Sequence, residues 1–376
     1  MPKPNLVVLA ATVFACALAA QRPVVTVGGP NPDHADLPAA IAAAAPGSIV
    51  EVRPGVYTGF TCQKALRIVM TGATVLPPAG ANYTIQLENI VGADPFVLKG
   101  VSTLVGSGLL GVMRISNVLA PVIIEKVTLF GGLQQSALEI FNAGAVHIAR
   151  SILLGYPGLQ AQFCNVISNE NLIGNTYGPG AIVSDASLDS ARTFFVGTEQ
   201  PALRIFDTVA RLSTDGTSGL YVTGAPVVPV SPFEAFDSEV YWNPSSFALG
   251  AANGAPVFSS QTTTEVIGEV PMLNAGPAEL GGMGVVRMAS PTPAYGMIAV
   301  GFLLPTPIVL PPAGVYPNPS SFVMAGSGLI DAAGLTLNIP IVNDPAVRGD
   351  VMVFQGIAFF ASGGTSLSGP ALWYIE

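Results

Sequence analysis

From Leu87 to Asp207 a short phrase recurs at intervals that suit one turn of a coil: an apolar residue, any residue, then a polar one. One set reads Leu87-Glu88-Asn89, Ile115-Ser116-Asn117 and Ile140-Phe141-Asn142, with its polar positions 28 and 25 apart. A second set starts half a coil later with Ile124-Glu125-Lys126, Ile148-Ala149-Arg150 and Ile167-Ser168-Asn169, 24 and 19 apart. Val183-Ser184-Asp185 and Ile205-Phe206-Asp207 echo it. A period of about 20 to 28 residues, built from short β-branched runs and polar turns, is the mark of a solenoid whose turns bury their apolar faces on one another. Strands are expected at Arg67 to Met70, Tyr83 to Leu87, Phe96 to Leu98, Val112 to Ile115, Val122 to Ile124, Leu138 to Ile140 and Val146 to Ile148.

The 42 glycines and 33 prolines agree with an all-β chain, because both residues interrupt helices. Residues 1–20 read as an export signal, with Lys3 as the positive start, Leu6 to Leu18 as the apolar core and Ala17-Leu18-Ala19 as the processing pattern. Cleavage is expected near Ala19 or Ala20, which makes the mature chain an extracellular, cell-surface or periplasmic protein. Later apolar runs fall short of the roughly 20 residues a membrane helix needs, so no transmembrane helix is expected in the mature chain. The net charge of −9 and the lack of a basic run argue against nucleic acid as a partner. Cys62 and Cys164 lie several coils apart, each coil rising by ~4.8 Å, which exceeds the ~7 Å reach of a disulfide. Two unpaired thiols are expected.

The most specific stretch is the opening one. Asp36 precedes Leu37 to Ala45, an alanine-rich run with Pro38 in its first turn, and Pro46-Gly47 stops it. A short helix there would cover the open end of a solenoid. The order Asp36, Ala39-Ala40-Ile41, Pro46-Gly47-Ser48, Val50-Glu51-Val52, Pro54-Gly55-Val56-Tyr57 resembles the opening of right-handed parallel β-helix proteins of the pectin-lyase-like superfamily. The resemblance implies a parallel β-helix from about Val24 to Tyr221. It implies no single activity, since that superfamily includes lyases, hydrolases, esterases, adhesins and spacers. Many of its enzymes carry glutamate two residues after the tyrosine, where this chain has Gly59.

The domain division expected is a signal peptide over 1–20, a parallel β-helix with an N-terminal cap helix over 21–222, a proline-rich linker over 223–232 and an antiparallel β-sandwich over 233–376. The piece from Leu337 to Gly356 resembles a small β-sandwich module found at the C-termini of exported bacterial proteins.

Asn89, Asn117 and Asn142 should stack as a ladder of side-chain amides, one per coil. The second column changes charge along its length: Lys126, Arg150, Asn169, then Asp185 and Asp207. Neighbouring cations repel unless paired, and either an anionic glycan or the nearby Glu125 and Glu170 can screen them. Elimination from a uronate would use Lys126 or Arg150 as base and calcium held by Asp185 and Asp207. Hydrolysis would use Asp185 and Asp207 as a carboxylate pair. For binding alone the candidates are Lys126, Arg150, Asn169 and Trp242, the last as an exposed ring near the start of the second domain. His34 and His147, the only histidines, form no catalytic or metal pattern. Gly106-Ser107-Gly108-Leu109-Leu110-Gly111 formally matches a dinucleotide fingerprint but reads as a turn between coils, since a strand follows it. The leading expectation is a non-catalytic exported protein that binds polysaccharide or another cell-surface component. A lyase or hydrolase acting on acidic glycans is the alternative, and a plain spacer is a third.

Overall fold

The computed structural model describes residues 21–103, 110–175, 177–214, 218–224, 226, 228–251, 253–268, 270–310, 313–317 and 322–376. The expected leader and most of the glycine-rich loop, residues 106–109, lie outside them. Among the described residues no helix is long and apolar enough to cross a membrane.

Two parallel sheets wind up the N-terminal two thirds of the chain. Among the described residues sheet I has 18 strands and sheet II has nine, and each strand pairs in parallel with its counterpart one coil away. One coil can be followed from sheet II (Ser136–Ala143) to a first run of sheet I (Ala145–Ala149) and a second run (Ile152–Leu154). The next coil returns to sheet II at Leu159–Gln162. All seven strands expected from the sequence are present. Their inward side chains, such as Leu87, Ile115, Ile140, Val166 and Val183, form one continuous core.

Residues in the left-handed region turn many of the corners. From sheet II into sheet I the corners are Asn89, Asn117, Asn142, Phe163, Asp185, Asp207, Asp237 and Thr262, with φ between 44° and 56°. Asparagine and aspartate tolerate this region because their short polar side chains bond locally. The amide ladder is partly visible, with Asn142 Nδ2 donating to Asn117 Oδ1 at 2.8 Å.

The cap helix α1 spans Leu37–Ala43 and buries Leu37, Ala40 and Ile41 against the first coil. Asp36 caps it, accepting through Oδ1 from Leu37 N at 2.8 Å and from Thr58 N at 2.9 Å, which ties the helix to the first coil.

The coil does not end at residue 222. Phe233–Phe236 continues sheet II, Glu239–Trp242 and Thr264–Ile267 continue sheet I, and all pair in parallel with the strands before them. The proline-rich stretch is therefore an excursion inside one coil, and the expected boundary moves to about residue 270. Trp242 moves with it: wholly buried, it packs with Phe233, Phe247 and Phe258 inside the last coils and cannot meet a sugar.

The C-terminal module is antiparallel, with sheets of three and six strands sharing a core that includes Val286, Met288, Ile298, Phe354 and Trp373. It lies along the outer face of the first runs of sheet I. Its Val351, Val353, Leu372 and Tyr374 pack on Val97, Ile123 and Ile167 of the same sheet. Polar ties line this seam: Arg348 to Glu51, Arg67 Nε to Gly349 O at 2.6 Å, Lys99 to Glu376, and Arg211 to Leu367 O.

Candidate functional site

The structure separates the residues proposed as one site. Lys126 and Arg150 turn the corner between the two runs of sheet I, and the next members of that corner are Glu170 and Arg192. Asn169 is not in the column, because register pairs it with Ala149 rather than Arg150. Asp185 and Asp207 belong to the other corner, with Asn117 and Asn142. The two corners stand at opposite ends of five-residue strands such as Ala145–Ala149, about 16 Å apart at ~3.3 Å per residue. Proton transfer needs groups within hydrogen-bond reach, so no base from one column serves carboxylates from the other.

Arg150 and Asn169 are also occupied. Arg150 Nη2 lies 2.5 Å from Glu125 Oε1, and its Nη1 donates to Ala275 O of the C-terminal module at 3.0 Å. Arg192 pairs with Glu170 at 2.5 Å, and Asn274 donates to the same carboxylate at 2.6 Å. Arg150, Glu170 and Arg192 line a shallow depression of about 470 Å³ whose two arginines already have carboxylate partners. Burial would raise the Glu125 carboxyl, but Lys99 and Arg150 outweigh it and hold it below the ordinary range.

Asn169 Nδ2 lies 3.0 Å from Pro370 O and 3.0 Å from His147 Nε2. An amide nitrogen that donates to the carbonyl also presents a hydrogen to Nε2, which places the imidazole proton on Nδ1. His147 is buried, and burial pushes it down to about 3, with Glu125 opposing and Arg150 adding to the fall. The first-run face of sheet I over these coils is thus a domain interface.

Asp185 and Asp207 do stand on successive coils, both exposed. Two carboxylates fall short of the six to eight oxygens calcium takes. Among the described residues no group of three or more His, Cys, Asp or Glu could hold a metal ion. Cys62 and Cys164 are both unpaired and buried, and burial raises the Cys164 thiol to about 12.

Sheet II presents a different surface. Its outward residues form two columns in register along the coil axis. One reads Gln86, Arg114, Glu139, Gln160, Ile182, Arg204, Glu234 and Ser259. The other reads Glu88, Ser116, Phe141, Gln162, Ser184, Phe206, Phe236 and Gln261. All but Ser116 are at least partly exposed. The carboxylates on these strands are held by neighbouring donors. Tyr83 Oη donates to Glu139 at 2.8 Å, Arg204 pairs with Glu234 at 2.8 Å, and Gln63 and Gln86 donate to Glu88 at 2.8 and 2.9 Å. Burial and Glu139 together raise the Tyr83 hydroxyl to about 12, so it stays a donor at neutral pH. Rings interrupt the polar surface: Phe141 meets the corner residue Phe163 edge-on at 5.7 Å, and Phe206 stacks on Phe236 at 5.0 Å. Sequence reading passed over this face because its columns alternate glutamine, charge and phenylalanine without a motif. The signal lay in the residue one and three places before each corner.

Gly59, where the resemblance leads one to look for glutamate, has no room for a side chain. A Cβ there would lie 2.1 Å from Thr84 O.

No protein-family model matches the chain, and no curated protein matches it. Among solved structures, the pectin methylesterase from Aspergillus niger in deglycosylated form is similar over 65% of this chain and 88% of that one, with 11% identity and a TM-score of 0.28. Full-length tailspike protein 2 of the Escherichia coli O157:H7 bacteriophage CAB120 is similar over 93% of this chain and 68% of that one, with 10% identity and a TM-score of 0.39.

Proposed function

We propose that the chain is an exported, non-catalytic protein that binds polysaccharide on the outer face of sheet II. One observation carries the reading: this face runs the length of the coil as ordered amides, carboxylates and guanidinium groups beside half-exposed rings. Sugars present hydroxyls and C–H faces together, and such a surface offers donors, acceptors and apolar area to both. The strand carboxylates are tethered to fixed partners, which suits a rigid recognition surface better than proton transfer. The leader expected over residues 1–20 would deliver the protein to where such polymers occur.

The exposed Gln160, near the middle of the face, gives a test. In a Cys16→Ser background, where the remaining Cys62 and Cys164 are buried and stay unlabelled, a Gln160→Cys variant labelled with a maleimide polymer should lose retention on polysaccharide affinity gels. The same label at Leu329→Cys, 75% exposed on the C-terminal module, should leave retention intact. Equal retention of both labelled proteins would refute the assignment of the face.

A further inference from the structure

We infer, resting on that reading, that the ligand is an uncharged glycan chain lying along the coil axis across the strands, gripped at two aromatic stations. Direction comes from register. Phe141, Gln162, Ser184 and Phe206 follow one another in a single column, one per coil. The first ring therefore stands three coils from the second, about 14 Å at ~4.8 Å per coil. Phe163 widens the first station and Phe236 the second. Between them lie an amide and a hydroxyl, which bond sugar hydroxyls without demanding charge. A polymer of several sugar units spans that distance, and a disaccharide covers one station.

Charge selects the class of glycan. The two columns and their corner carry six carboxylates, Glu88, Glu139, Glu234, Asp185, Asp207 and Asp237, against Arg114 and Arg204. Both arginines are engaged on this face already, Arg204 by Glu234 and Arg114 over the Tyr83 ring at 5.4 Å. A polyuronate laid here would meet a net excess of four negative charges, six carboxylates less two guanidinium groups, whereas a neutral chain is not repelled.

The test uses the full-length protein in titration calorimetry with galactomannan, mixed-linkage β-glucan and dextran as neutral probes and polygalacturonate as the acidic one. At least one neutral polymer should bind, with affinity almost unchanged from about 0.05 to 0.5 M salt, since no ion pairs form. Phe141→Ala and Phe206→Ala should each weaken it about tenfold, the loss expected for one buried apolar contact. Phe141→Tyr and Phe206→Tyr, which keep the ring, should bind as the parent does, and disaccharides of the bound polymer should bind far more weakly. Tighter binding of polygalacturonate, abolished by the label at Gln160→Cys, would overturn the neutral class while leaving the face assignment standing. Neutral binding untouched by both alanine variants would overturn the track. Failure of all four polymers to bind would overturn the face assignment itself.

Discussion

His147 offers the sharpest energetic test of the seam between coil and C-terminal module. Its Nε2 faces the Asn169 amide nitrogen, which Pro370 O keeps pointing the same way, so a proton on Nε2 would set donor against donor. Glu125 and Arg150 are the charged groups that act on it, with opposite effects. Its folded value of about 3 lies far below the 6.5 of a free imidazole, so the folded state refuses a proton that the unfolded chain accepts. Stability from this residue is complete above pH 6.5, declines as pH falls, and is gone below about 3. Each pH unit in that window costs about 1.4 kcal/mol, so moving from neutral pH to about pH 5 should cost about 2 kcal/mol. The assay is urea unfolding at both pH values for the parent and for His147→Gln, which carries no titrating ring. The parent should lose about 2 kcal/mol more than the variant over that interval. Equal losses would refute the buried neutral imidazole and the fixed Asn169 orientation with it.

Two further outcomes follow from the same packing. Glu125→Gln leaves Lys99 and Arg150 in the seam without their shared anion, and should destabilise the protein by about 3 kcal/mol, read as a fall in melting temperature at pH 7. Gly284→Ala would put a Cβ 2.4 Å from the Trp373 ring, which bridges the two sheets of the C-terminal module, and should cost about 1–3 kcal/mol with a changed near-ultraviolet signal from Trp373.

The coil was legible in the sequence because its corners demand a residue that tolerates positive φ, and Asn89, Asn117 and Asn142 meet that demand visibly. The signal faded where Phe163 took the same corner, since nothing marks phenylalanine as a turn residue. From there the phrase ending in Asn169 slipped by one residue against Arg150, and a one-residue slip moves every side chain to the other face. Asp185 and Asp207 were then assigned to the wrong corner, although asparagine and aspartate are the natural occupants of the first. The domain boundary failed for a related reason: Pro226, Pro229 and Pro232 look like a tether, yet the connection from sheet I back to sheet II accepts them equally well. Burial of the seam was hidden because Ile123 and Ile167 look like any strand residue, and only the docked module shows that their side chains face outward into a second core.

A stack of coils usually comes apart from whichever end is loose, each turn depending only on its neighbours. Here Arg348 grips Glu51 near the base while Leu367 holds Arg211 seven sheet-I turns of chain later, so the module works as a splint fastened along the rod. Unzipping past Arg211 must break that splint, and the rod between the two ties should melt as one piece with it rather than turn by turn.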